Sequence, residues 1–261
     1  MSAYSEALAK REWAEQHIGK LKSALAELRK TDPCTIAAKK NPETGDVTYY
    51  VEHLPVIPVE ISLIIGDILH NLRCSLDYLA SGLIGGSRSK SKTNFPIRPH
   101  INEWEKSCSR MVGSASKEAI EALRRLRPYE GGDPRFCILH ALNNIDKHRL
   151  LLTICAKNTI QTGLQGGEVV GEQLEDIGTF LLSSGIRARI VASNNFPAGP
   201  LYTGQEILTV RASHAKQQVG FGIEVAFAEP ALAKGMPVEI TMFALKGCVD
   251  RAIRELAPFL L

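Results

Sequence analysis

The fold is decided by the run Gly66-Asp67-Ile68-Leu69-His70-Asn71-Leu72-Arg73-Cys74-Ser75-Leu76-Asp77-Tyr78, at the centre of the segment 58–85. At about 100° per residue, the large aliphatic residues of this segment fall on one side of a helix: Ile61, Ile65, Leu69, Leu72, Leu76, Leu79 and Leu83. The other side carries short polar and titratable residues: Asp67, His70, Asn71, Cys74 and Asp77. A side exposed only to solvent is usually richer in Lys, Glu and Gln, whereas Asp, Asn and His are typical of hydrogen-bonding or chemical roles. The run therefore predicts a long central helix with a core side and a functional side.

The bulk composition is that of a soluble globular protein. The 261 residues are 44% hydrophobic and 23% charged, which suits one large domain, and we predict a single domain over residues 1–261. The net charge of +3 neither demands nor excludes a nucleic-acid partner. No apolar run is long enough to span a bilayer, and the N-terminus lacks the features of a signal peptide. The six cysteines are scattered without a C-x-x-C pair, which indicates reduced thiols, so we expect a cytoplasmic protein with no membrane partner.

Hydrophobic residues that recur every three or four positions predict further helices at 4–30, 102–110 and 116–127. Asp133-Pro134 reads as another helix start, because Asp is a favourable N-cap and Pro suits the first helical position. We expect that helix to run to about Leu152, and a last helix to open at Pro237.

The remaining segments predict strands. A turn-forming cluster at 41–45 lies between two short extended runs, which predicts a β-hairpin over 34–52. Alternation of apolar and polar residues predicts a small antiparallel sheet with strands at 185–192, 205–212 and 220–228. The Gly- and Glu-rich stretch 163–176 is expected to be a loop.

The predicted fold class is α+β. It is a bundle of about four long helices, with the β-hairpin after the first helix and an antiparallel β-sheet insertion before the last. The bundle comprises residues 1–152 and 237–261, and the β insertion comprises about 153–236.

A second polar line follows the helix that begins at Pro134. His140, Asn144 and His148 step by four residues, with Lys147 beside them. Two charged residues of the same stretch are three apart, a spacing that suits an ion pair: Asp146 and Arg149. If this line faces the polar side of the central helix, it meets Asp67, His70, Asn71, Arg73 and Asp77.

Such a meeting has two interpretations without substrate chemistry. Buried charges must be paired, so the polar residues could form a structural network that holds the two helices together. Alternatively, carboxylate and imidazole ligands on facing helices could hold a metal. Against the metal, the acid-x-x-His spacing of Asp67 and His70 occurs once only, and Lys147 and Arg149 would repel a cation. We therefore assign no metal ligand.

The third interpretation is metal-free cleavage of RNA. An imidazole can accept the 2′-hydroxyl proton while a guanidinium stabilises the charge on the phosphate. Arg135 and His140 lie five residues apart within one predicted helix and supply both groups.

Two motifs resemble a family of bacterial proteins of uncharacterised function that carries both of them. They are Gly-Asp-x-x-His-Asn-Leu-Arg-x-x-Leu-Asp at 66–77 and Asn-x-Asp-Lys-His-Arg at 144–149. The expected up-and-down pairing of long helices is also similar to HEPN-type domains, the helical nucleotide-binding domains of toxin–antitoxin and phage-defence systems.

Many HEPN domains are ribonucleases in which a histidine follows an arginine after four to six residues, and others only bind or dimerise. Arg135 and His140 match that spacing, although Phe136 replaces the polar residue that often follows the arginine. After Arg73, the corresponding position holds Tyr78 instead of histidine.

The resemblance implies a cytoplasmic bacterial protein that acts on RNA or a nucleotide, as a metal-independent endoribonuclease or as a binder, with no cofactor. The catalytic residues implied are His70, Arg135, His140 and His148. The binding residues implied are Asp67, Asn71, Arg73, Asp77, Asn144, Asp146, Lys147 and Arg149. The alternative is a non-catalytic interaction protein, a homodimer or the partner of another protein, in which the same residues form the structural network.

Overall fold

The computed structural model describes residues 2–85, 93–151, 153–163, 201–212 and 218–260. Six α-helices lie in this part of the chain: α1 (Ala3–Thr31), α2 (Val59–Leu83), α3 (Ile101–Val112), α4 (Lys117–Leu126), α5 (Pro134–Asp146) and α6 (Val238–Leu256). The strands described are β1 (Thr35–Lys40), β2 (Val47–His53), β3 (Thr153–Gly163), β4 (Glu206–Val210) and β5 (Gln218–Phe227). The predicted mixed α+β class is confirmed.

The chain divides into two compact units. The first contains Met1–Glu27, Ile57–Thr153 and Phe227–Leu261, and the second contains Leu28–Val56 and Ile154–Ala226. The six helices belong wholly or mainly to the first unit, and the strands belong wholly or mainly to the second.

Helix α2 is the centre of the first unit, because its apolar side is fully buried. Ile65, Leu69, Leu72, Leu76 and Leu79 have no exposed surface, and α2 packs against α1, α3, α5 and α6. Helix α1 runs antiparallel to α2, because Ala7 contacts Ser75 whereas the later His17 contacts the earlier Asp67. The first contact is a hydrogen bond of 2.8 Å that the Ser75 hydroxyl donates to the Ala7 carbonyl. The core side predicted for the central helix is confirmed.

Helix α5 begins as its sequence predicts. The Asp133 carboxylate accepts a hydrogen bond from the backbone N–H of Arg135, and Pro134 occupies the first helical turn. This cap satisfies one of the N–H groups that every helix start leaves without a partner.

The predicted continuation of this helix to about Leu152 is wrong, because α5 ends at Asp146 and Lys147 caps it. The chain then turns so that Leu151 is only 2% exposed. The Leu151 carbonyl accepts a hydrogen bond of 3.0 Å from the Ser62 hydroxyl of α2. This turn buries the Leu151 side chain and gives its carbonyl a hydrogen-bond donor. A helix that continued to Leu152 would not make these contacts.

The second unit contains the predicted hairpin. Strands β1 and β2 pair antiparallel, and β4 adds to β2, giving a three-stranded sheet in the order β1-β2-β4, while β3 and β5 form a second sheet. The strands predicted at 205–212 and 220–228 are confirmed as β4 and β5. The predicted strand 185–192 and the predicted loop 163–176 lie outside the described residues, except for the last residue of β3.

In the part of the chain described above, no helix combines the length and the apolar composition needed to cross a bilayer.

Candidate functional site

Helices α2 and α5 approach each other closely where α2 has a glycine. A Cβ atom placed on Gly66 would lie 2.3 Å from Oδ1 of Asp146, far inside van der Waals contact. The missing side chain lets the Asp146 carboxylate lie directly over the α2 backbone. Burial and the nearby Asp67 carboxylate both raise the pKa of Asp146, and His70 opposes this shift. The polar side of α2 therefore meets the polar line of α5 at this end of the contact.

His140 occupies the other end of the α2–α5 contact. Its ring is half-buried, and Nε2 lies 3.1 Å from the side-chain nitrogen of Asn144. An amide nitrogen can only donate, so Nε2 accepts and the proton of the neutral imidazole lies on Nδ1. This Nδ1–H is buried and has no hydrogen-bond partner among the described residues.

Positive charge surrounds the His140 ring. Burial lowers its pKa first, and the charges of Arg73, Arg98 and Lys147 lower it further, to about 4. The imidazole is therefore neutral at pH 7. Arg73 is neutralised by a carboxylate, but Arg98 and Lys147 form no ion pair with any residue that the structure describes. The site has a local excess of positive charge that an anion would balance.

Arg73 is held by a buried network. Its guanidinium donates to the Asp77 carboxylate over 3.3 and 2.8 Å and to the Phe95 carbonyl over 2.9 Å. The Phe95 N–H in turn donates to Asp77 over 2.8 Å. The Phe95 ring stacks on Phe136 of α5 at 5.8 Å. Arg73 is only 7% exposed, yet its Nη1 has no partner within the described residues.

The outer part of the α2 polar side faces α1. Lys10 donates to the Asn71 side chain over 3.1 Å, and the Asn71 amide bonds to the Asp67 carbonyl. His17 of α1 lies 3.5 Å from the Asp67 carboxylate. One more contact lies within α2, between the imidazole of His70 and the thiol of Cys74 at 3.5 Å. Burial raises the pKa of this thiol, although Lys10 and Lys147 act against the shift.

The structure does not bring every predicted site residue to this place. Arg135 donates to Asp133 over 2.8 and 2.7 Å, and its other electrostatic neighbour is Cys248 of α6. Five residues correspond to about 500° on a helix, or 140° of rotation, so Arg135 and His140 point to different sides of α5.

Two further predicted residues lie beyond the end of α5. His148 is exposed there and does not extend the helical line of His140 and Asn144. Arg149 pairs with Glu229 rather than with Asp146, so the predicted ion pair at that spacing is wrong.

Three residues that contribute to this surface were not predicted from the sequence. Arg98 lies in the loop before α3, and no periodic pattern marks a loop arginine as functional. Lys10 and His17 lie on α1, where charged residues usually form a solvated face. His17 could have been recognised from the sequence, because it directly precedes the hydrophobic residue Ile18. In the structure both residues are buried, and His17 is only 6% exposed.

No group of three or more His, Cys, Asp or Glu side chains in the described ranges has an arrangement able to hold a metal ion.

Replacing Gly66 by alanine tests the close approach of Asp146. Alanine favours a helix over glycine by about 1 kcal/mol, but the added Cβ must displace the carboxylate, and overpacking costs about 1–3 kcal/mol. We expect Gly66→Ala to lower the free energy of unfolding by about 1 kcal/mol in urea melts. In an Asp146→Ala background the same change should become stabilising. A stabilising effect in both backgrounds would mean that the two helices are not in contact here.

The lowered pKa of His140 predicts a specific dependence of stability on pH. Between its folded pKa of about 4 and its ordinary value of 6.5, the unfolded chain binds a proton that the folded chain does not. Stability is therefore lost as the pH falls from 6.5 towards 4. Urea melts should show that His140→Gln removes roughly 1–3 kcal/mol of this loss. Equal pH profiles for the two proteins would show that folding does not lower the pKa of this imidazole.

Comparison of the chain with protein-family models, with curated proteins and with solved structures finds no match.

Proposed function

We propose that the first unit binds RNA or a nucleotide through a phosphate group held beside His140, and that it cleaves RNA without a metal ion. The observation that carries the proposal is the buried Nδ1–H of His140, a hydrogen-bond donor that has no acceptor among the described residues and lies in the field of Arg73, Arg98 and Lys147. A buried donor without a partner costs about 1–3 kcal/mol. An anionic oxygen at this position would remove that cost and balance the charge.

Of the cations that act on His140, the two that form no ion pair with a described residue are the natural phosphate ligands. Arg98 and Lys147 act on His140 from the loop before α3 and from the end of α5, and neither needs to leave a carboxylate partner. Arg73 cannot leave Asp77 at low cost, because its guanidinium is buried. We therefore assign Arg73 and Asp77 to positioning, and Asn144 to holding the tautomer of His140.

The chemistry would be acid–base catalysis by imidazole. The Nδ1–H of His140 would donate to a phosphate oxygen. At Nε2, the hydrogen bond from Asn144 would be replaced by one from the 2′-hydroxyl, and Nε2 would then accept the hydroxyl proton. The 2′-oxygen then bonds to phosphorus, the bond from phosphorus to the 5′-oxygen breaks, and a second imidazole protonates that oxygen. His70 and His148 are the candidates for the second role. The negative charge of a bound phosphate would raise the pKa of His140 towards the range that suits a general base.

The resemblance to HEPN-type bundles and to the bacterial family with both motifs supports the same assignment. In that view α1, α2, α5 and α6 correspond to the four long helices of the bundle, and the protein is a cytoplasmic one.

Binding of a short fluorescein-labelled single-stranded RNA, in the presence of a metal chelator, tests the proposal. We expect Arg98→Ala/Lys147→Ala to weaken binding at low salt and to reduce the salt dependence by roughly 0.7 per lost phosphate contact. Lys106→Ala/Lys117→Ala is the matched control, since it removes two exposed lysines of α3 and α4. Absence of RNA binding by the unaltered protein, or equal binding by both double variants, would overturn the proposal.

A second candidate function is that of a non-catalytic interaction protein, either self-associating or bound to a protein partner. The observation that favours it is the network of Arg73, Asp77 and Phe95, which connects α2 to the segment before α3 and has the character of a structural staple. It predicts that the unaltered protein leaves RNA intact and unbound, while its polar residues matter only for stability.

A further inference from the structure

Trp13 is exposed on a polar helix face. Its side chain is 50% exposed, whereas the other tryptophan of the chain, Trp104, is 1% exposed and donates its ring N–H to the Pro96 carbonyl over 2.9 Å. Full burial of a large apolar side chain contributes about 1.5–3 kcal/mol. The position of Trp13 forgoes much of this gain, which calls for an explanation from function.

The surroundings of the Trp13 ring are basic and polar. The ring of His17 lies 5.2 Å away at an angle of 59°, and the Lys20 ammonium lies 5.8 Å from the ring centroid. Helical spacing also places Lys10 and the exposed Gln16 beside it. The exposed aromatic ring therefore lies between two lysines.

This face of α1 is continuous with the candidate site. Lys10 reaches Asn71 of α2, and His17 reaches Asp67 of α2, over 3.1 and 3.5 Å. The same polar side of α2 meets α5 at Asp146. His17 also fixes the local geometry, since its Nδ1–H donates to the Trp13 carbonyl over 2.9 Å.

We propose that Trp13 is a platform on which a nucleobase of single-stranded RNA stacks, while another phosphate of the same strand is held beside His140. The inference rests on the proposed function and specifies its ligand as an oligonucleotide rather than a mononucleotide. Trp13 lies on α1 and His140 on α5, and both helices pack against α2, so in this proposal the two positions are contacted by different nucleotides of one strand. Lys10 and Lys20 would lie beside the intervening backbone phosphates.

RNA fits this surface better than a protein partner does. Base–aromatic stacking requires one exposed ring and flanking positive charge, and it tolerates any sequence because every base has a π-face. A tryptophan that anchors a protein interface is normally surrounded by apolar contacts that exclude water. The neighbours of Trp13 at helical spacing are instead the exposed Ala9, Gln16 and Lys20 and the partly buried Lys10 and Glu6.

Tryptophan fluorescence provides the first test. Because Trp104 is buried, quenching of the exposed tryptophan on addition of a short single-stranded RNA reports on Trp13. We expect quenching by this RNA and none by an abasic strand of the same length, which keeps the phosphates but lacks bases. RNA that binds without changing the tryptophan emission would overturn the stacking proposal and leave the phosphate site intact.

Substitution provides the second test. We expect Trp13→Ala to weaken binding of the fluorescein-labelled RNA roughly tenfold and to leave binding of the abasic strand unchanged. Tyr4→Ala is the matched control, because Tyr4 is an aromatic residue of the same helix, 41% exposed, and nine residues away, on roughly the opposite side. Equal RNA affinity for both variants would contradict the inference. If the unaltered protein binds no RNA at all, the proposed function itself is rejected.

Discussion

Replacement of Asp77 by alanine is expected to lower the free energy of unfolding by about 3–5 kcal/mol, because it strands a buried cation. Arg73 is 7% exposed and its guanidinium makes two of its hydrogen bonds to Asp77. The Phe95 N–H loses its acceptor at the same time. For a chain of this size the change corresponds to a decrease in Tm of roughly 6–20 °C, which thermal melting followed by circular dichroism would measure.

The matched control for Asp77 is Glu255, which also accepts from an arginine. The Arg125–Glu255 pair is exposed on both sides, at 53% and 39%, and exposed pairs contribute about 0–1 kcal/mol. Glu255→Ala should therefore change stability little. Replacing both members of the buried pair, as Arg73→Met/Asp77→Leu, should recover much of the stability, since no unpaired charge remains. If Asp77→Ala and Glu255→Ala have similar effects, the network around Arg73 is not structural.

His140→Ala is expected to reduce metal-free cleavage of single-stranded RNA by about 10²–10⁴-fold, the usual contribution of a positioned acid or base. The affinity for RNA should fall less, because Arg98 and Lys147 remain. Cleavage of an end-labelled RNA in the presence of chelator, with quantification of the products on a gel, measures the rate.

His100→Ala is the control for that experiment, because His100 is an exposed histidine that precedes α3 and makes no side-chain cap hydrogen bond. Its cleavage rate should equal that of the unaltered protein. His70→Ala and His148→Ala identify the second imidazole, since only one of them should reduce the rate strongly. Cleavage that is unchanged in His140→Ala would remove the catalytic part of the proposed function.

The sequence was sufficient to predict most helices and the hairpin, because local signals agreed with packing. The aliphatic spacing from Ile61 to Leu83 corresponds to the buried side of α2, and the cap at Asp133 sets the start of α5. The end of α5 was not predictable from local propensity. The chain leaves the helix at Lys147 because the later Leu151 is buried against α2, a tertiary contact that periodicity does not reveal.

The candidate site was predictable only in part, for a similar reason. The residue types on α2 and the second half of α5 indicated polar faces, and the glycine at Gly66 that allows their approach lies within the motif at 66–77. The partners of each charge depend on loops and on α1. Arg73 forms an ion pair with Asp77, Arg135 with Asp133 and Arg149 with Glu229. Arg98, which lies outside both motifs, supplies a cation near His140.

NMR titration of the histidine side chains measures whether a phosphate binds beside a neutral His140. The probe is a short single-stranded RNA with 2′-O-methyl groups, which cannot be cleaved by attack of the 2′-oxygen. We predict that His140 titrates at about 4 in the free protein and that saturation with this RNA raises its pKa by about one unit or more. A free-protein pKa near the ordinary value of 6.5, or a pKa that does not change when the RNA is bound, would show that no phosphate binds beside a neutral His140.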